Sequence, residues 1–141
     1  MDAEIKKMVD AAVANAEANC GVKYTQFGDG FTRAELPLKP EHMNFMGIVF
    51  GGLIYNLADL TAGVAFVTKG GVGPTVSGDM QFINSAANIS ALICEANVVK
   101  YGQRLCFVKA DLMDENRKLL AQGNYVFCNV PKSDFIEKVS Q

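Results

Sequence analysis

The chain has 141 residues, half of them hydrophobic, with 13 Lys and Arg against 15 Asp and Glu and a net charge of −2. That length and composition predict one globular domain over residues 1–141 with a single core and exclude a second. The charges are scattered, with no basic run longer than Lys6-Lys7, so nucleic acid, usually held by a basic stripe, is not expected as a partner.

Residues 2–19 place Ile5, Met8, Val9, Ala12 and Val13 at helical spacing ahead of Gly21, which predicts an amphipathic N-terminal helix within residues 1–20 and a glycine stop. The segment lacks the apolar run and small-residue cleavage site of a secretory signal, so a cytoplasmic location is expected. Residues 22–28 and 31–38 flank Gly28-Asp29-Gly30 and predict a hairpin. Pro37, Pro40 and the polar tract to His42 then predict a loop running to Gly51-Gly52. From Leu53 to Thr68 the chain is apolar all round and rich in small residues. A membrane span needs about 20 predominantly apolar residues, and Asn56 and Asp59 interrupt this shorter run, so it predicts a fully buried helix and no membrane partner.

Segments 74–85, 90–100, 103–113 and 118–129 read as strands, with turns at Lys100–Gln103 and Asp114–Arg117. In the third, Cys106, Val108, Ala110 and Leu112 alternate with Lys109 and Asp111, the pattern of a half-buried antiparallel strand. Residues 131–141 read as a loose tail. A buried helix with antiparallel strands on either side of it in the chain gives an α+β fold in which the sheet wraps a long central helix.

Cys20, Cys94, Cys106 and Cys128 contain no close pair, and read as buried thiols rather than a zinc or redox site. With a single His and scattered carboxylates, no metal is expected. Gly70-Gly71-Val72-Gly73 precedes a strand instead of opening a helix, so no phosphate loop, and no cofactor, is expected.

Asp59 is the most informative residue, because a carboxylate amid Leu57, Ala58, Leu60 and Ala62 costs several kcal/mol to bury without a partner. It reads either as a general base or nucleophile tuned by desolvation, or as a structural carboxylate paired with Asn56 or facing a subunit interface. Gly51 and Gly52 open the helix, where unpaired N–H groups and the positive dipole end can polarise a carbonyl. A bare Gly-Gly is nevertheless more often a tight turn. His42, Asn44 and Ser77 are weak taken singly: a surface His, a turn Asn and a strand Ser are the commoner readings. A Ser-His-Asp triad lacks the nucleophile elbow it would need.

The run His42-Met-Asn44-Phe-Met-Gly47-Ile-Val-Phe50-Gly51-Gly52, followed by Leu57-Ala58-Asp59, resembles the signature of the hotdog-fold acyl-CoA thioesterases of the PaaI-like type. The resemblance continues through Thr75–Phe82, Tyr101–Arg104 and Asp114–Gly123, covering about residues 30–129. It implies a hotdog fold, a homo-oligomer (dimer or tetramer) whose sheets join, active sites between subunits, and acyl-CoA as substrate. In its terms Asp59 is general base or nucleophile, the Gly51 N–H binds the thioester oxygen beside Gly52, Asn44 helps to place the thioester, and Ser77 orients the water. His42 and Phe50 would border the substrate, and Lys100 and Arg104 would meet the phosphates of CoA. Phe50 stands where the family commonly has His, which leaves open a changed acyl preference, slower turnover, or a non-catalytic acyl-CoA-binding module. A hydratase of the related branch would need a helix His, and His42 lies in the loop.

Overall fold

The computed structural model describes residues 1–134; of the tail expected over 131–141, the residues from 135 on lie outside them. Helix α1 spans Ala3–Cys20. Asp2 starts it by accepting the Ile5 N–H at 2.8 Å, and Gly21, at φ 69°, ends it in the left-handed region that glycine enters without a Cβ penalty. Strands β1 (Lys23–Gly28) and β2 (Phe31–Pro37) form the expected hairpin. A short 3-10 turn, Pro40–His42, leads into the loop before helix α2 (Gly51–Thr68). Strands β3 (Thr75–Phe82), β4 (Ala91–Tyr101), β5 (Leu105–Met113) and β6 (Leu119–Cys128) complete the chain.

The six strands form one antiparallel sheet in the order β1-β2-β4-β5-β6-β3, with β1 and β3 at the edges. Helix α2 packs across the sheet, and α1 packs against α2 and β1. On the sheet side of α2, Ala58, Ala62 and Ala65 are wholly buried against Cys94 and Ala96 of β4, Cys106, Val108 and Ala110 of β5, and Tyr125 of β6. Small side chains on the helix let it approach the sheet closely, and the interdigitated larger ones fill the remaining space. The alternation expected in β5 is present, its four inward residues from Cys106 to Leu112 being 0–1% exposed.

Helix α2 is less enclosed than its composition predicts. By length and mean hydropathy alone (18 residues, 1.2) it could cross a membrane, yet only half of it is buried, all of that within the fold. Its first two turns leave Gly51, Gly52, Tyr55 and Asn56 exposed. Mean hydropathy counts residues without regard to face, and the single sheet covers one face only. Phe45, Phe50, Phe82 and Ile83 are also exposed in the loop before this end of α2, at its cap and at the end of β3.

Candidate active site

Asp59 lies on the third turn of α2 and is half-buried. Its Oδ1 accepts a 2.7 Å hydrogen bond from the Thr75 hydroxyl, sixteen residues on at the start of β3. The partner is therefore Thr75 rather than Asn56, which is exposed on the same helix. Ser77, the strand hydroxyl singled out from sequence, sits two residues further along, beyond a register shift in which Thr75 pairs with Phe127 and Ser77 with Val126. That bulge re-aims the side chains at the strand's start, and the hydroxyl it brings to the carboxylate is that of Thr75.

Asp59 and Thr75 line one end of a cavity of about 270 Å³ that continues between α1 and α2 past Leu60, Gly63 and Val67. Tyr125, fully buried beneath α2, donates its hydroxyl to the Tyr55 carbonyl at 3.1 Å, and Tyr55 in turn donates to the Gly78 carbonyl at 3.2 Å. Burial, reinforced by Tyr55 and Asp59, pushes the Tyr125 phenol upward, so it stays a neutral donor. Gly78 is required there: a Cβ would sit 2.5 Å from the Tyr55 hydroxyl and 2.9 Å from the Tyr125 ring. This pair fixes the strand that carries Thr75 against the helix that carries Asp59.

At the other end of α2, Phe50 is the N-terminal cap residue and makes no side-chain hydrogen bond there. The first N–H groups taken up are those of Leu53 and Ile54, which donate to the Phe50 carbonyl at 3.1 and 3.3 Å. The Gly51 and Gly52 N–H groups precede them in the turn where helical donors lack intrahelical partners. The Phe82 ring lies 3.4 Å from where a Gly51 Cβ would stand, so the approach to these donors is bordered by an aromatic side chain.

The two loop residues take turn-building positions. Asn44 Oδ1 accepts the Met46 and Ile48 N–H groups at 2.9 and 3.1 Å, closing the loop below the Met43–Val49 bridge. His42 Nδ1 accepts the Lys39 N–H at 2.9 Å and its carbonyl accepts the Phe50 N–H at 3.1 Å. Its imidazole lines a different cleft, with Asn19, Lys23 and Lys39, apart from the one holding Asp59. Both residues thus hold the chain in position to start α2.

Lys100 and Arg104 are exposed on either side of the β4–β5 turn and form no ion pair with another described residue. The turn is closed by the Gly102 N–H on the Leu105 carbonyl (2.9 Å) and by Asn129 Nδ2 on the Gly102 carbonyl (3.0 Å). A cleft of about 610 Å³ lies beside it, lined by Gly70, Tyr101, Gln103, Asn129 and Lys132. Sequence reasoning missed Thr75 and Tyr125, whose placement depends on pairing with and within β6, and this cleft, which forms where the β4–β5 turn meets the segment after β6.

Residues 46–121, more than half of the chain, match the family model described as the thioesterase superfamily. Human acyl-coenzyme A thioesterase 13 is 32% identical over 94 residues, covering 64% of this chain and 67% of that protein. A protein of Archaeoglobus fulgidus named as an esterase is 26% identical over 93 residues, 66% of this chain, and the match spans 60% of that relative's length. Among solved structures, the E. coli PaaI protein from the phenylacetic acid degradation operon superposes with a TM-score of 0.77 at 18% identity, covering 91% of this chain and 94% of that one. A hypothetical thioesterase of Streptococcus pneumoniae, solved with coenzyme A, gives 0.77 at 16% identity over 88% and 95%.

Proposed function

The chain belongs to the thioesterase superfamily and has its hotdog fold, and we propose that it hydrolyses acyl-CoA thioesters to a free acid and CoA. The observation that carries this reading is the carboxylate of Asp59, held by Thr75 at the mouth of an apolar cavity. A carboxylate so placed either takes a proton from water attacking the thioester carbonyl or attacks that carbonyl itself. The Thr75 hydroxyl occupies one lone pair of Oδ1 and fixes the orientation of the other oxygen. The Gly51 N–H, at the positive end of α2, polarises the carbonyl and stabilises the oxyanion as the thiolate leaves. Gly52 beside it leaves room for the thioester, Phe50 borders the carbonyl, and Asn44 and His42 act by holding the loop. Lys100 and Arg104 supply cations for the CoA phosphates, the 610 Å³ cleft beside their turn giving the nucleotide room.

Gly51 and Asp59 are eight residues apart on one helix, about 12 Å along its axis. A carbonyl in contact with one donor cannot reach the carboxylate of the same chain. The reading therefore includes a homo-oligomer in which Asp59 of one copy meets the helix N-terminus of another. The exposed β3 edge and the apolar residues around the start of α2 favour that assembly.

The test is release of free CoA thiol from short, aryl and long acyl-CoA thioesters. Asp59→Asn preserves shape and removes the base; the rate is expected to fall by roughly 10²- to 10⁴-fold with the fold unchanged. Hydrolysis at the parental rate would sink the mechanism. Phe50, an apolar ring at the cap, favours a second reading, a non-catalytic acyl-CoA-binding module; tight acyl-CoA binding without thiol release is its signature.

A further inference from the structure

The cavity at Asp59 has a direction. Its α2 wall is Asp59, Leu60, Gly63, Val64, Phe66 and Val67, two adjoining rows at three- and four-residue spacing that form one side of the helix. From Asp59 to Val67 this side runs about 12 Å. The facing wall is α1, through Ala12 and Ala16, and Phe127, stacked on Phe66 with centroids 5.1 Å apart, lines it as well. Leu60, Gly63 and Val67 remain partly exposed although α1 packs on this helix, so the covered face is not filled. Gly63 helps to keep it open: a Cβ there would meet nothing nearer than the Phe127 ring at 3.7 Å. Helix α1 lies outside residues 46–121, the segment matched by the family model.

On the thioesterase reading above, we propose that α1 is the specificity element of the site, walling a trough that receives an uncharged apolar acyl group of up to about ten carbons. The size follows from the volume: an apolar cavity of about 150 Å³ holds benzene, and this one is nearly twice that. The chemistry follows from the walls. Beyond Asp59 and Thr75 the only polar side chains on the walls are Asn15 and Tyr24, so along Ala, Gly, Val and Phe the two amides of the pantetheine arm would lose hydrogen bonds that an acyl chain does not have to give up. A second carboxylate on the acyl group would meet no cation among these residues and would lie in line with Asp59.

The experiment measures kcat/KM of the full chain for saturated acyl-CoA thioesters from acetyl to palmitoyl, with succinyl-CoA beside butyryl-CoA. The expected profile peaks at eight to ten carbons, about tenfold or more above acetyl, a factor that burial of about two methylenes already supplies. Succinyl-CoA falls at least about tenfold below butyryl-CoA. Gly63→Leu and Ala12→Leu each shift the peak at least two carbons shorter. Gly63→Ala, which adds one uncrowded methyl, keeps the test open if the larger change fails to fold. An unshifted peak in the variants overturns the proposal, as does an equal loss at every chain length with weaker CoA binding, which would put the pantetheine arm in the trough. Calorimetry with Asp59→Asn separates this from the activity itself. Octanoyl-CoA binding about tenfold tighter than CoA, lost on adding Gly63→Leu, upholds the trough even without turnover. Equal affinities refute it.

Discussion

Thr75 is the residue whose neighbourhood the chain order hides most completely. Its hydroxyl reaches Asp59 only because β3 is bulged where it begins to pair with β6. Thr75→Val keeps the shape and removes the hydrogen bond; a bond to a charged group contributes about 1.5–3 kcal/mol, so kcat is expected to fall by roughly 10- to 100-fold. Thr75→Ser and Ser77→Ala should each stay within about threefold of the parent, because neither removes that hydroxyl. A larger loss for Ser77→Ala than for Thr75→Val in steady-state hydrolysis would assign the role to Ser77 instead. Asp59 itself was legible, since a charge in an apolar helix advertises a cost that something must offset. His42 and Asn44 were legible as residues worth noticing, but their partners are backbone groups of their own loop, which residue type does not reveal.

Among the elements, helices and strands were legible because their periods are written in the side chains: 3.6 in α1, 2 in β5. The faces of α2 were not, since an apolar residue looks the same against a sheet, against α1 or at an open surface. The central strands carry a second testable property. Burial pushes the Cys94 thiol of β4 up to about 12, and burial pushes Cys106 of β5 up to about 11. Both stay protonated at neutral pH and behave as small hydrophobes. Over the alkaline range the folded state holds these protons while the unfolded chain, with thiol pKa values near 9.0, releases them. Their contribution to stability is thus complete below about pH 9 and is lost progressively as pH rises toward 12. Denaturant melts at pH 8 and pH 10.5 should show the drop, and Cys94→Ala/Cys106→Ala should reduce its size relative to the parent. Thiol titration of the native protein should find Cys20 and Cys128, which are partly exposed, reacting before either.

For the whole molecule, the open end of α2 and the free β3 edge belong to one problem. Val76, Phe82 and Ile83 are 48–56% exposed and lie on or beside an edge strand whose outer hydrogen-bonding groups have no sheet neighbour among the described residues, an arrangement proteins rarely leave bare. Light scattering at micromolar concentration is expected to give at least twice the 15.2 kDa chain mass, and Val76→Lys with Phe82→Asp to lower both mass and turnover. A fully active species at the single-chain mass would contradict the shared site.

The 12 Å between the two ends of the machinery on α2 has a genetic consequence. Asp59→Asn subunits lack the carboxylate but keep the donor; Gly51→Pro subunits lose the N–H yet retain a helix, since proline is tolerated at the first helical position. On the proposed mechanism each homomer is expected to be slowed by roughly 10²-fold or more. In a mixed dimer both defects fall in one of the two sites, and the other is assembled from intact halves. Co-expressing two impaired alleles would then restore activity in up to about half of the sites of every mixed pair, a complementation that a site contained in one chain cannot produce.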